Sequence, residues 1–96
     1  MPPEVLIGHN ESTTKIDVWA MGIMLHALIV GHFPFRSSNK DELKKQIIEK
    51  DININRKELN ISDSCKDLIF RLLDKDPNKR ISVSEIFDHP WICRYR

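Results

Sequence analysis

The sequence predicts an all-α fold, with about four helices gathered around one buried central helix. Three observations carry that expectation. From Asp17 the stretch Val18-Trp19-Ala20-Met21-Gly22-Ile23-Met24-Leu25-His26-Ala27-Leu28-Ile29-Val30 carries no formal charge, and none follows until Arg36, in a chain of which 30% is charged. Three later segments place apolar residues at helical spacing behind Ser or Asn caps. No two alternating segments joined by a hairpin turn are found.

The first stretch is apolar on every face, the pattern of a helix packed inside a larger body. The run from Val18 to Val30 is too short to cross ~30 Å of hydrocarbon, and Gly31, His32 and Pro34 close it. Asp17 is placed to cap this helix and to complement its positive end. Upstream, the Pro2-Pro3 pair argues against a helical start, and Gly8-His9-Asn10-Glu11-Ser12-Thr13-Thr14 has the composition of a surface loop. Gly31 ends the helix, and His32-Phe33-Pro34-Phe35 follows as a rigid apolar turn.

Asn39 caps the second helix, with Glu42 three residues on as a capping box. Leu43, Ile47 and Ile48 form its narrow apolar stripe, beneath a solvated face of Lys40, Lys44, Lys45 and Glu49. Asp51 to Ile61 is irregular, anchored by Ile52, Ile54, Leu59 and Ile61. Ser62 caps a third helix from about Asp63 to Leu73, whose Cys65, Leu68, Ile69, Leu72 and Leu73 make a core face. Asp76-Pro77 stops it. Ser82 with Glu85 opens a short fourth helix with Val83, Ile86 and Phe87 inward, and His89-Pro90-Trp91 ends it with an indole turned back onto the body.

Ninety-six residues make one domain or a piece of one. A domain this short buries only roughly 60–65% of its unfolded surface, so a wholly apolar central helix has few neighbours to cover it. Fifteen basic and fourteen acidic side chains nearly cancel, so no long-range field points to nucleic acid or to an anionic membrane. Met1-Pro2-Pro3-Glu4 is not the start of a signal peptide. Cys65 and Cys93 form no CxxC, which predicts reduced thiols and a cytoplasmic or nuclear location.

No catalytic constellation emerges from the residues alone. Gly8, Gly22 and Gly31 are too far apart for a phosphate loop. His9, His26, His32 and His89 lack ligand spacing, so no metal site is predicted, and His26 reads as a satisfied core histidine. Ser62 and Ser82 are caps rather than nucleophiles.

Four stretches taken together resemble the C-terminal lobe of a eukaryotic protein kinase. Pro2-Pro3-Glu4-Val5-Leu6 resembles the Ala-Pro-Glu motif closing the activation segment, with Pro2 where Ala is usual. Asp17-Val18-Trp19-Ala20-Met21-Gly22 with Gly31-His32-Phe33-Pro34-Phe35 resembles the family's central helix and the turn after it. Leu72-Leu73-Asp74-Lys75-Asp76-Pro77-Asn78-Lys79-Arg80 resembles a later helix junction, and His89-Pro90-Trp91-Ile92 the usual end of the domain. Ser62, Cys65-Lys66-Asp67-Leu68-Ile69 and that ending look most like the calcium/calmodulin-dependent Ser/Thr kinases and their relatives.

The resemblance covers essentially residues 1–96 as a partial kinase domain, and its implications are specific. Glu4 forms a buried ion pair with Arg80, clamping the end of the activation segment to the helical lobe. Asp17 supports the backbone of the catalytic loop, and Trp19 packs under Pro3. The helix around Lys40–Glu49 docks protein substrates or regulators. Ala27 stands where several arginine-reading kinases carry Glu, so recognition through that carboxylate is not expected, and the loop between Glu4 and Asp17 is a residue or two longer than is common. No calcium-binding loop is present, so direct calcium sensing is not implied.

The family transfers the ATP γ-phosphoryl group to protein hydroxyls. It does so with a Gly-rich loop, a strand lysine, a helix glutamate, the catalytic-loop Asp and Asn and a metal-binding Asp. All of these precede the Ala-Pro-Glu position, so the resemblance implies a truncated or cleaved piece, or a shortened gene product. It assigns this chain no catalytic, cofactor or metal residues, while ATP and Mg²⁺ belong to the complete kinase. Separated from the N-terminal part of the domain, the chain is expected to leave part of the Val18–Val30 helix uncovered and to self-associate. The competing reading is a non-catalytic remnant that binds a partner protein.

Overall fold

Six helices run along the described residues: α1 (Pro3–Leu6), α2 (Thr13–Val30), α3 (Lys40–Glu49), α4 (Asp63–Leu72), α5 (Val83–Asp88) and α6 (Pro90–Cys93). The computed structural model describes residues 2–6, 8, 13–52, 54 and 61–93, without the side chains of Glu4 and Thr13. There are no strands among them. The expected helices are all present. The two additional ones, α1 and α6, are single turns that each begin with Pro, a residue suited to the first helical position. The expectation of a non-helical start after Pro2 is therefore corrected.

The central helix starts four residues earlier than the charge pattern suggests, at Thr13. Threonine has modest helix propensity, but here the first turns are held by tertiary contacts: Lys15 and Ile16 are half-buried, and Lys15 reaches the distant residue Arg80. Asp17 thus lies inside the helix, exposed, and is not its cap. Gly31 does end α2, at φ 96°, with its N–H bonded to Ala27 O at 3.0 Å.

Gly22 sets how closely α2 crosses α4. A Cβ there would stand 2.8 Å from Leu72 Cβ and 2.7 Å from Leu73 Cδ2. Around this crossing Val18, Leu68, Leu72, Ile81 and Ile86 form one apolar cluster. Trp19, Val30, Phe35, Ile54, Cys65, Ile69 and Leu73 form another, with Leu25 and Trp91 packed against both. Every member of the core face expected on α4 is buried. A flank of α2 beside this crossing is open: Met21, Met24 and Leu28 are 46%, 64% and 75% exposed. An all-round apolar helix is therefore covered on one side only by the described residues.

The caps follow their sequence signals, with one detour. Ser62 accepts the Cys65 N–H at 3.2 Å. Ser82 and Glu85 exchange both arms of a capping box, at 3.3 and 3.1 Å. At α3, Asn39 accepts from Asp41 and Glu42 N–H groups, but the Glu42 carboxylate turns to the Ser37 hydroxyl, which accepts the Asn39 N–H. The return arm of that box is relayed through Ser37. On α5 only Ile86 is buried; Val83 and Phe87, expected inward, are 41% and 56% exposed. A six-residue helix lying mainly along α6 has room for one inward position.

Candidate functional site

Arg80 is the organising charge of the lobe. It is only 1% exposed, yet arginine cannot shed its proton, so its donors must all be met by protein. Nε–H donates to Asp74 O at 2.8 Å and Nη1–H to Lys15 O at 3.0 Å. Lys15 Nζ in turn donates to Arg80 O. Successive turns at Asp74 and Asp76 shape the approach: their carboxylates accept the Asp76 and Asn78 N–H groups, and Asp76 O accepts the Arg80 N–H at 2.9 Å.

The guanidinium also lies over an aromatic stack. Its carbon is 5.0 Å from the Trp19 ring centroid. Trp19 stacks on Phe35, with centroids 6.0 Å apart and planes within 8°. Lys75 Nζ stands 5.0 Å over the Phe35 ring and donates to Ile47 O at 2.7 Å. That carbonyl is one of those the C-terminal turn of α3 leaves unpaired. Burial lowers the Lys75 pKa, against an opposing pull from Asp51. Two cations from the segment between α4 and α5 thus flank two rings, one from α2 and one from the turn after it, in the order cation, ring, ring, cation.

The sequence-predicted residues fall as follows. Arg80 and Trp19 are buried together. Pro3, on α1, is buried as well. The Glu4 side chain lies outside the described residues, so its pairing with Arg80 is not described. Asp17 is exposed on α2. The Lys40–Glu49 helix presents Lys40, Lys44, Lys45 and Glu49 to solvent, beside a depression of about 520 Å³ formed by Glu42, Lys45, Gln46, Glu49 and Lys50. His26, 2% exposed, donates from Nδ1 to His32 O at 2.9 Å, and burial lowers its pKa.

Sequence reasoning missed Lys15, Phe35 and Lys75 as partners in this cluster. Their bonds join residues 65 and 28 positions apart, and no local pattern signals them.

A second surface feature is a groove of about 270 Å³ along the open flank of α2, where Met21, Met24 and Leu28 face Leu72, Trp91 and Ile92. Among the described residues no three His, Cys, Asp or Glu side chains gather around a common point. The space at Gly22 is closed by Leu72 and Leu73, and Gly31 serves a helix end. No described helix is long and apolar enough to cross a membrane.

Residues 1–92 match the family described as the protein kinase domain. The SNF-related serine/threonine-protein kinase of Homo sapiens is 36% identical over 90 residues, which are 94% of this chain and 11% of that protein. An Aurora kinase of Debaryomyces hansenii is 39% identical over 92 residues, 96% of this chain and 21% of that protein. Calcium-dependent protein kinase 11 of Oryza sativa subsp. japonica is 35% identical over 95% of this chain and 16% of its own length. The solved twitchin kinase region from C. elegans superposes with a TM-score of 0.85 at 33% identity, covering 95% of this chain and 16% of that one.

Proposed function

Since the chain belongs to the protein kinase domain family, we propose that it is the C-terminal part of a Ser/Thr kinase domain whose complete form transfers the ATP γ-phosphoryl group to protein hydroxyls. The chain spans between 11% and 21% of the relatives named above. Its own contribution is scaffold and docking surface. The observation supporting this reading is Arg80, buried over Trp19 and tied to α2, the residue that the reading pairs with Glu4. On this reading Trp19 supports Pro3, and Asp17, exposed one turn into α2, is available to catalytic-loop backbone. The exposed face of α3 serves substrates or regulators, and the protein works in the cytoplasm or nucleus. The calcium-dependent relative is consistent with kinship to the calcium/calmodulin-dependent group.

The open flank of α2 favours a second reading, a non-catalytic lobe that binds protein, including its own copies. One experiment separates the two. The natural gene product is isolated from its source, its mass measured, and its phosphoryl transfer from ATP to a mixed protein substrate assayed. A product of about 250 residues or more that phosphorylates Ser or Thr supports the kinase, since that is full two-lobed size. A product of this chain's mass without transfer supports the binding module.

A further inference from the structure

His89 caps α5, directly precedes α6, and is 5% exposed. Its ring is held at both nitrogens. The Trp91 main-chain N–H points at Nδ1 from 3.1 Å, and an N–H can only donate. Nδ1 is therefore the acceptor and the ring proton sits on Nε2, which donates to Asp67 Oδ2 at 2.7 Å. The same oxygen accepts Arg71 Nε–H at 2.7 Å, and these bonds, Arg71's first, hold the Asp67 pKa down. The remaining charges around the ring are Glu85 and Asp88 of α5, which line the same depression. Lys15 of α2 acts on Glu85.

The two holds on the imidazole answer a proton in opposite ways. Protonation turns the Asp67 bond into a charge-assisted ion pair and keeps the ring on α4. It also fills Nδ1, so the Trp91 N–H faces another N–H and its bond is lost. We propose that His89 is a proton-operated latch: in its neutral form it ties the Trp91 main chain of α6 to the Asp67 carboxylate of α4, and on protonation it stays with α4 and gives up the Trp91 N–H, while its own carbonyl keeps the Ile92 and Cys93 N–H groups. Trp91 and Ile92 wall the apolar groove opposite Met24 and Leu28, so the bond that is given up lies in the wall of that groove.

The test is ring and amide NMR on the ¹⁵N-labelled 96-residue chain. At neutral pH the His89 ring is expected to carry its proton on Nε2. On acidification the Trp91 amide protection factor is expected to fall about tenfold, the loss of one hydrogen bond, in step with the His89 ring signal. His89→Asn keeps an acceptor oxygen in place of Nδ1 without titrating, so Trp91 protection should stay flat over the same range. A proton on Nδ1 at neutral pH, or Trp91 protection that ignores the His89 titration, overturns the proposal.

Discussion

Lys15 and Arg80, 65 positions apart, each donate a side-chain hydrogen bond to the other's main-chain carbonyl. The exchange fastens the start of α2 to the segment between α4 and α5. It also explains why a threonine-led turn is helical: the helix begins where its lysine finds that carbonyl.

Replacing Arg80 should be among the most damaging substitutions in the chain. Arg80→Ala loses two charge-assisted bonds and the contact with Trp19, an expected cost of about 3–5 kcal/mol. Arg80→Lys keeps the charge but not the fork, and should cost about 2–3 kcal/mol. Urea unfolding followed by tryptophan fluorescence measures both; equal stability of Arg80→Lys and the parent would contradict the two-bond geometry.

Gly22→Ala should destabilise by about 1–3 kcal/mol, because the new methyl meets Leu72 Cβ and α4 has to move. The paired change Gly22→Ala, Leu73→Ala opens space at only one of the two contacts and should recover little. Thermal melts of the three proteins check this, and a neutral Gly22→Ala would mean the helices cross farther apart.

Acid should weaken the fold through His26. Its folded pKa is lowered by burial, so the unfolded chain takes up the proton first as pH falls through ~6.5. Stability is unaffected above that value, falls between it and the lower folded value, and then levels off. In His26→Gln this component of the pH slope should vanish. Unfolding midpoints from pH 7.5 to 5 give the comparison, and identical slopes would remove His26 as the cause.

Lys75→Met should leave the core filled but free the last turn of α3. Loss of the Ile47 carbonyl bond and of the ammonium over Phe35 predicts about 1–2 kcal/mol. Hydrogen exchange should locate the effect in α3 rather than α4.

Leu28→Glu tests the open flank. At 75% exposure the change should move stability by less than about 0.5 kcal/mol. Sedimentation velocity should nonetheless show self-association of the parent chain reduced in the variant; a monomeric parent at high concentration would argue against pairing through this face.

Much of the architecture was legible because its signals are local. Asn39, Ser62 and Ser82 cap the helices their spacing announced, and Cys65, Leu68, Ile69, Leu72 and Leu73 turn inward as their period requires. The start of α2 was hidden because a distant carbonyl, not helix propensity, decides it. The faces of α2 could not be ranked from its sequence, since from Val18 to Val30 apolar residues fall on every face and only the placement of α4 chooses among them. The kinship was readable from four motifs in order, while Lys75 on Phe35 and His89 on Asp67 are contacts between elements and leave no periodic trace.

The run Arg80, Trp19, Phe35, Lys75 has a consequence for how the molecule comes apart. Each ring is shared by neighbours drawn from separate stretches, so none of those stretches can melt while the others stay intact. Energies measured one substitution at a time at positions 80 and 75 should fail to add, and the lobe should lose its order in a single cooperative step.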